Sequence, residues 1–233
     1  LFGLCRRRTP EPAARLRRFA VLIAARNEES CIAGLIESLR AQHYPPELVD
    51  IWVLPNNCTD RTAEAARRAG AQVLEMPASV RSKGAALHTA AKALLRSARN
   101  YDAFCVFDAD NEADPAFLSE MNRALDRTAI VKSRNLAKNR TQAGISACYE
   151  IYFCSANHFL NRAREAVGLS ARVIGTGFAI RRDLLETLDG FPCRTLTEDA
   201  ELYAACLCRG ARIGYCETAV TYDEEPVTWR ASL

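Results

Sequence analysis

The chain has 233 residues, of which 49% are hydrophobic and 25% charged, a balance that excludes global disorder and suits one large α/β domain or two small ones. A net charge of +3 makes no general case for nucleic acid as a partner. The ten cysteines form no C-x-x-C pair and mostly fall in apolar segments, which disfavours a disulfide scaffold and a His/Cys zinc site and favours a reducing compartment.

No apolar run approaches the roughly 20 residues of a membrane span. The opening is suggestive: Leu1-Phe2-Gly3-Leu4 is followed by Arg6, Arg7, Arg8, Arg15, Arg17 and Arg18, the pattern of a helix end and its cytoplasmic basic flank, and equally that of a disordered basic arm. Residues 1–18 are therefore set apart as a basic juxtamembrane segment, and 19–233 as the folded domain. Phe19 to Ala25 is an apolar, β-branched strand ending at Arg26-Asn27-Glu28-Glu29. Ile32, Leu35, Ile36 and Leu39 recur at helical spacing. His43-Tyr44-Pro45-Pro46 breaks that helix, and Val49 to Leu54 is a second strand, ending at Pro55-Asn56-Asn57-Cys58-Thr59-Asp60. An alanine-rich helix follows to Gly70, and Ala71 to Met76 reads as a third strand. Arg81-Ser82-Lys83-Gly84 opens another helix. Phe104-Cys105-Val106-Phe107 is then a buried strand that stops on Asp108-Ala109-Asp110.

Strands alternating with helices at this spacing predict an α/β fold with a mostly parallel sheet and helices on both faces. Right-handed crossovers gather the loops at 26–29, 55–61 and 108–111 along one sheet edge. In the second half, Pro115 starts a helix to about Leu125, Ile130 to Asn135 is a strand, and a helical stretch runs from about Gly144 to Val167. Arg172 to Ile180 reads as a strand interrupted by Gly175-Thr176-Gly177. A short helix covers Asp183–Leu188, and Leu196-Thr197-Glu198-Asp199 opens a helix through Leu207.

Ligands collect at the carboxyl edge of such sheets. Two acids flanking a small residue there suit a hard divalent cation carrying a phosphate, whose ligands are oxygens; a strand ending in a solvated turn gives the same local pattern. Asn27, Glu28, Asn56, Asn57 and Asp60 offer groups for a base edge or ribose hydroxyls, and are equally ordinary turn and cap residues. Lys83 and Gly84 at a helix start can meet a phosphate. Glu198 and Asp199 either favour a helix N-terminus through its dipole or offer a base for an acceptor hydroxyl. No G-x-G-x-x-G follows the first strand, no P-loop or G-x-S-x-G occurs, and only His43, His88 and His158 are available for hydrolysis.

The ordered set A-A-R-N-E (Ala24 to Glu28), N-N-C-T-D-R-T (Asn56 to Thr62), K-G-A-A-L (Lys83 to Leu87), D-A-D, G-T-G-F-A-I-R-R (Gly175 to Arg182) and T-E-D (Thr197 to Asp199) resembles family 2 of the glycosyltransferases, and within it the membrane-bound, cellulose- and hyaluronan-synthase-like branch. The resemblance covers about residues 19–225. It implies a GT-A fold and inverting transfer of sugar from a nucleotide-sugar, most often a UDP-sugar, to a carbohydrate or lipid-linked acceptor in surface polysaccharide or glycolipid synthesis. It further implies donor contacts at Ala25, Asn27, Glu28, Asn56, Asp60, Lys83, Asp108 and Ala109, and Mg²⁺ or Mn²⁺ at Asp108 and Asp110. Asp199 matches the general base, with Gly175, Thr176, Gly177 and Glu198 on the acceptor side. A membrane location with the catalytic domain facing the cytoplasm, and membrane contact through segments outside this chain, follow from the same likeness.

Two departures from the pattern stand out. Pro55-Asn56 replaces an aspartate pair, which leaves Asn56 uncharged. The Q-x-x-R-W motif is absent, the chain ending near Glu224-Glu225-Pro226-Val227-Thr228-Trp229, so the domain is expected to be C-terminally incomplete. The competing readings are another nucleotide-using enzyme, such as a sugar-phosphate nucleotidyltransferase, and a non-catalytic scaffold on the same fold. The R-N-E-E loop after the first strand argues against the former, and the intact acids argue against the latter.

Overall fold

The structure is a computed structural model that describes residues 13–192, 195 and 197–232. In chain order the elements are β1 (Phe19–Ala25), α1 (Ile32–Arg40), β2 (Val49–Pro55), α2 (Thr62–Arg68), β3 (Gln72–Val73), α3 (Lys83–Leu95), β4 (Ala103–Asp108), β5 (Glu112–Ala113), α4 (Phe117–Ala124), β6 (Ile130–Ala137), α5 (Gly144–Ser155), a π-helical stretch (Ala156–Arg162) running into α6 (Ala163–Ala166), β7 (Phe178–Arg181), α7 (Arg182–Thr187), α8 (Glu198–Cys208), β8 (Ile213–Asp223) and α9 (Trp229–Ser232).

Among the described residues the strands form one sheet in the order β3-β2-β1-β4-β7-β6-β8-β5. β1 is central because it is apolar at every position. Phe19, Val21 and Ile23 face one layer and Ala20 and Leu22 the other, and a strand buried on both sides requires helices on both. One layer is closed by Ile32, Leu35, Ile36 and Leu39 of α1 with Phe117, Leu118 and Met121 of α4. The other is closed by Leu87, Ala90, Ala91 and Leu94 of α3 with Leu184, Leu185 and Leu202. The fold is the expected α/β type, with helices on both faces of the sheet.

Local details depart from the sequence reading. β3–β2–β1–β4 are parallel, but β7 runs antiparallel to both β4 and β6. The expected strand at 172–180 begins only at Phe178, because Gly177 takes φ +60°, a left-handed conformation outside any strand. The expected strand at 71–76 shrinks to Gln72–Val73 at the sheet edge. β8, eleven residues long, had no counterpart in the sequence reading. It runs parallel to β6, and the register breaks where β6 passes from Ser133 to Arg134 while β8 passes from Cys216 to Val220. That odd number of extra residues reverses the faces presented by Thr221 and Asp223.

The basic segment set apart at 1–18 is docked at its end. Arg17 is buried, donates to the Asn122 carbonyl at 2.8 Å and pairs with Asp126 at 2.6 Å, and Arg18 N donates to Asp102. The folded unit therefore begins before Phe19. The apolar start with Arg6–Arg8, and Leu196, lie outside the described residues. No disulfide links the described cysteines, and no helix among the described residues is long and apolar enough to cross a membrane.

Gly177 is the glycine this architecture depends on. A Cβ there would sit 2.5 Å from Ser133 Oγ and 2.9 Å from Thr221 Oγ1. Gly177→Ala is expected to cost about 2–4 kcal/mol, combining the left-handed conformation with overpacking. Chemical denaturation of both proteins measures it, and an unchanged midpoint would contradict the packing described.

Candidate active site

The register sets the loops. Ala24 lies beside Asp108 and Ala25 beside Pro55, so the chain leaves β1, β2 and β4 at the same edge, as the crossovers demanded. Asn27 and Asn57 take φ +61° and +51°, backbone angles that asparagine tolerates better than most residues. Asn27 Oδ1 accepts from Thr59 N at 2.8 Å, and Asn57 Nδ2 donates to Asn56 Oδ1 at 2.8 Å and to the Val80 carbonyl at 2.6 Å. Glu28 N donates to Thr62 Oγ1 and Glu29 N to Asp60 Oδ2. Asp60 also accepts from Thr62, whose side chain holds its carboxyl below the usual range. Much of the polar capacity at positions 27, 56, 57 and 60 is therefore spent on knitting the first two loops together. Ala25 and Ala109 are buried small residues beneath this rim. The Cys31 thiol, donating to Glu28 Oε2, is pushed up to about 12 by burial first and by Glu28 second, and is no nucleophile at neutral pH.

Lys83 joins the two halves of the chain. It is the first residue of α3, which is capped by Ser82 accepting from Ala85 N at 3.2 Å. Its ammonium pairs with Asp108 Oδ1, lies 3.6 Å from Glu198 Oε1 and donates to the Gly175 carbonyl at 2.7 Å. The K-G, D-A-D, G-T-G and T-E-D motifs, spread over more than a hundred positions, thus meet at one cation. Asp199 sits in the first turn of α8, accepts from Ala200 N at 2.8 Å, and lines a small crevice with Gly175, Leu87, Phe178 and Leu202.

The carboxylates crowd. Burial, and after it Asp108, pushes Asp110 up to about 6, with Asp223 and Glu28 adding to the effect. Glu225, 8% exposed, is pushed up to about 7 by burial and then by Asp223 and Asp110. Such a site holds more negative charge than Lys83 offsets. Among the described residues no group of three or more His, Cys, Asp or Glu is placed to hold a metal ion by itself. Two carboxylates one residue apart do fit Mg²⁺ or Mn²⁺, which take one or two carboxylates and draw their other oxygens from phosphates and water.

Thr176 is turned inward. It is 5% exposed, accepts from Asp108 N at 3.0 Å and donates to Asn111 Oδ1, so its hydroxyl supports the D-A-D turn. Sequence reasoning named Thr176 but missed Asn111, Lys132, Asn135, Asp223 and Glu225. Asn111 was findable as the polar neighbour of the motif. Asp223 and Glu225 were findable had Ile213–Tyr222, rich in β-branched and aromatic residues, been read as a strand.

Comparison with known proteins identifies the fold as the expected GT-A type and gives the family. The probable glycosyltransferase YdaM of Bacillus subtilis is 26% identical over 225 residues, covering 92% of this chain and 52% of that protein. A beta-monoglucosyldiacylglycerol synthase of Nostoc is 26% identical over 191 residues, 78% of this chain and 40% of that protein. The chain thus spans about half the length of the curated relatives it matches. Among solved structures, the mannosyltransferase PcManGT of Pyrobaculum calidifontis, in complex with GDP-Man and Mn²⁺, superposes with a TM-score of 0.76 at 20% identity, over 99% of this chain and 64% of that one. Glucosyl-3-phosphoglycerate synthase of Mycobacterium tuberculosis, in complex with Mn²⁺, UDP and glucosyl-3-phosphoglycerate, gives 0.61 at 23% identity, over 90% and 73%. The model of the family described as "Glycosyltransferase like family 2" matches residues 17–233, and the chain belongs to that family.

Proposed function

We propose that this chain is the catalytic domain of an inverting glycosyltransferase that moves a sugar from a nucleotide-sugar, a UDP-sugar in the first instance, to an acceptor hydroxyl. The observation that carries the reading is the Lys83 ammonium, which gathers Asp108, Glu198 and the Gly175 carbonyl at one sheet edge. Asp108 and Asp110 hold the diphosphate end of the donor together with Mg²⁺ or Mn²⁺; when bound, that cation offsets the charge that builds on the leaving diphosphate. The rim of Ala25, Asn27, Glu28, Asn56 and Asp60 receives the nucleoside. Asp199 takes the proton of the acceptor hydroxyl as it attacks opposite the leaving group. Gly175 and Glu198 border the acceptor, with the inward Thr176 and the buried Gly177 bracing them from behind.

A lipid-linked acceptor at a membrane, with this domain on the cytoplasmic side, is part of the proposal. The exposed residues of α5 and the π-helical stretch, among them Ile151 at 67%, Tyr152 at 52% and Phe159 at 69%, include no Asp, Glu, Lys or Arg. The Nostoc relative's name likewise describes synthesis of a glucosylated diacylglycerol. A place in polysaccharide synthesis, as in the cellulose- and hyaluronan-synthase-like branch, rests on the motifs alone. The test is incubation of the purified protein with Mn²⁺, a panel of UDP- and GDP-sugars, and diacylglycerol or oligosaccharide acceptors. Nucleoside diphosphate release coupled to product is expected, and pyrophosphate release in a parallel incubation with UTP and a sugar 1-phosphate would transfer the chain to the nucleotidyltransferase reading.

A further inference from the structure

Beneath the D-A-D turn lies a run of polar side chains in a region a sheet would more cheaply fill with hydrocarbon. Lys132 and Asn135 are each 1% exposed and Asn111 is 3% exposed. Lys132 comes from β6, next to the register break with β8, and such irregularities gather near functional sites. Its ammonium donates to Asn135 Oδ1, to Ser133 Oγ at 3.2 Å and to the Gly177 carbonyl at 3.2 Å.

Two routes lead from that ammonium to the motif. In the first, Asn135 Nδ2 donates to Asp223 Oδ2 at 2.6 Å, Asn111 Nδ2 donates to Asp223 Oδ1 at 3.0 Å, and the same amide reaches Asp110 Oδ1 at 3.4 Å. In the second, the Gly177 carbonyl fixes the G-T-G loop, whose Thr176 hydroxyl and Asn111 Oδ1 both accept from Asp108 N. Asp223 therefore spends both oxygens on the amides that aim the turn. A buried network of this kind is costly when incomplete and rigid when every member is paired. Side chains behind a metal's ligands set how those ligands point, and losing one typically costs ten- to a hundredfold in metal affinity.

We propose that Lys132, acting through Asn135, Asp223 and Asn111 and through the Gly177 carbonyl, is a positioning residue that holds Asp108 and Asp110 in the orientation a cation–diphosphate unit requires. The inference rests on the donor-site reading above and goes beyond it to residues 111, 132, 135 and 223.

Calorimetric titration of the purified protein with UDP, once in Mn²⁺ and once in EDTA, tests it. Lys132→Met, Asp223→Asn and the double variant are each measured at a temperature where circular dichroism shows them folded. Each single variant is expected to weaken Mn²⁺-dependent UDP binding about tenfold or more and to leave binding in EDTA within about twofold of wild type. Because the two residues act in one chain, the double variant is expected to lose little beyond the worse single variant. A residue that merely supports the fold would lower the melting temperature and leave the Mn²⁺-dependent gain of the folded protein intact. Asp223, at the half-buried end of β8, provides the comparison if Lys132→Met fails to fold. Mn²⁺-dependent binding within twofold of wild type in a folded variant would overturn the positioning role alone, as would multiplicative losses in the double variant. A wild-type protein with no Mn²⁺-dependent UDP binding would overturn the donor-site reading as well.

Discussion

Asp199→Asn is expected to reduce turnover by about a hundred- to ten-thousandfold while leaving UDP affinity within about twofold of wild type. A positioned general base contributes roughly 10²–10⁴ in rate, about 3–5 kcal/mol of barrier. Asparagine keeps an oxygen to accept from Ala200 N, as Asp199 Oδ1 does at 2.8 Å, so the first turn of α8 survives and the loss reports chemistry. The crevice Asp199 lines is shared with Gly175, which ties it to the Lys83 junction and hence to the donor side. Turnover comes from nucleoside diphosphate release under saturating donor and acceptor, and affinity from titration of UDP with Mn²⁺. Equal losses in both measurements would remove Asp199 from the role of base and make it part of the donor pocket.

Asp110→Ala is expected to abolish the Mn²⁺-dependent part of UDP binding, a loss of about a hundredfold or more, with turnover falling alongside it. Burial and the neighbouring Asp108 already disfavour charge on this carboxyl, so the folded chain holds it ionised at a cost that a bound cation removes. The same substitution is expected to leave the melting temperature of the metal-free protein unchanged or slightly higher, since one of several crowded carboxylates is gone. That is the trade of stability for function typical of binding sites. A Mn²⁺ titration indistinguishable from wild type would exclude Asp110 as a ligand. A large fall in metal-free stability would show that the side chain is structural.

Asp108 and Asp110 were legible as a site because the pattern that marks them is local. Four apolar residues ending in two acids announce a buried strand and its edge without reference to any other segment. The same holds for Phe19–Ala25, which the structure reproduces residue for residue, and for the helical spacing of Ile32, Leu35, Ile36 and Leu39, all buried. The order of the motifs along the chain added the family. β7 was legible only in part, since the turn at Gly175–Gly177 consumes residues whose composition reads as strand. β8 was missed because its Glu217, Thr218 and Thr221 interrupt the apolar alternation.

The sequence by itself determined the alternating α/β plan, the edge on which the loops collect and the acids placed there, because these follow from apolar periodicity and from residues that end strands and start helices. Only the tertiary structure decided which polar groups face one another. Lys83 meets Asp108, Glu198 and Gly175 across separations that no local pattern encodes. Thr176 turns inward because Asp108 N and Asn111 wait there. Lys132, in Ile130-Val131-Lys132-Ser133, has the look of the outward position of a half-exposed strand. It is buried because the Gly177 loop and the Asn135 side chain close over its ammonium and accept its hydrogen bonds. The physical reason is that hydrophobic burial is read from a residue's own chemistry, whereas the burial of a charge depends on partners that sheet order alone brings within reach.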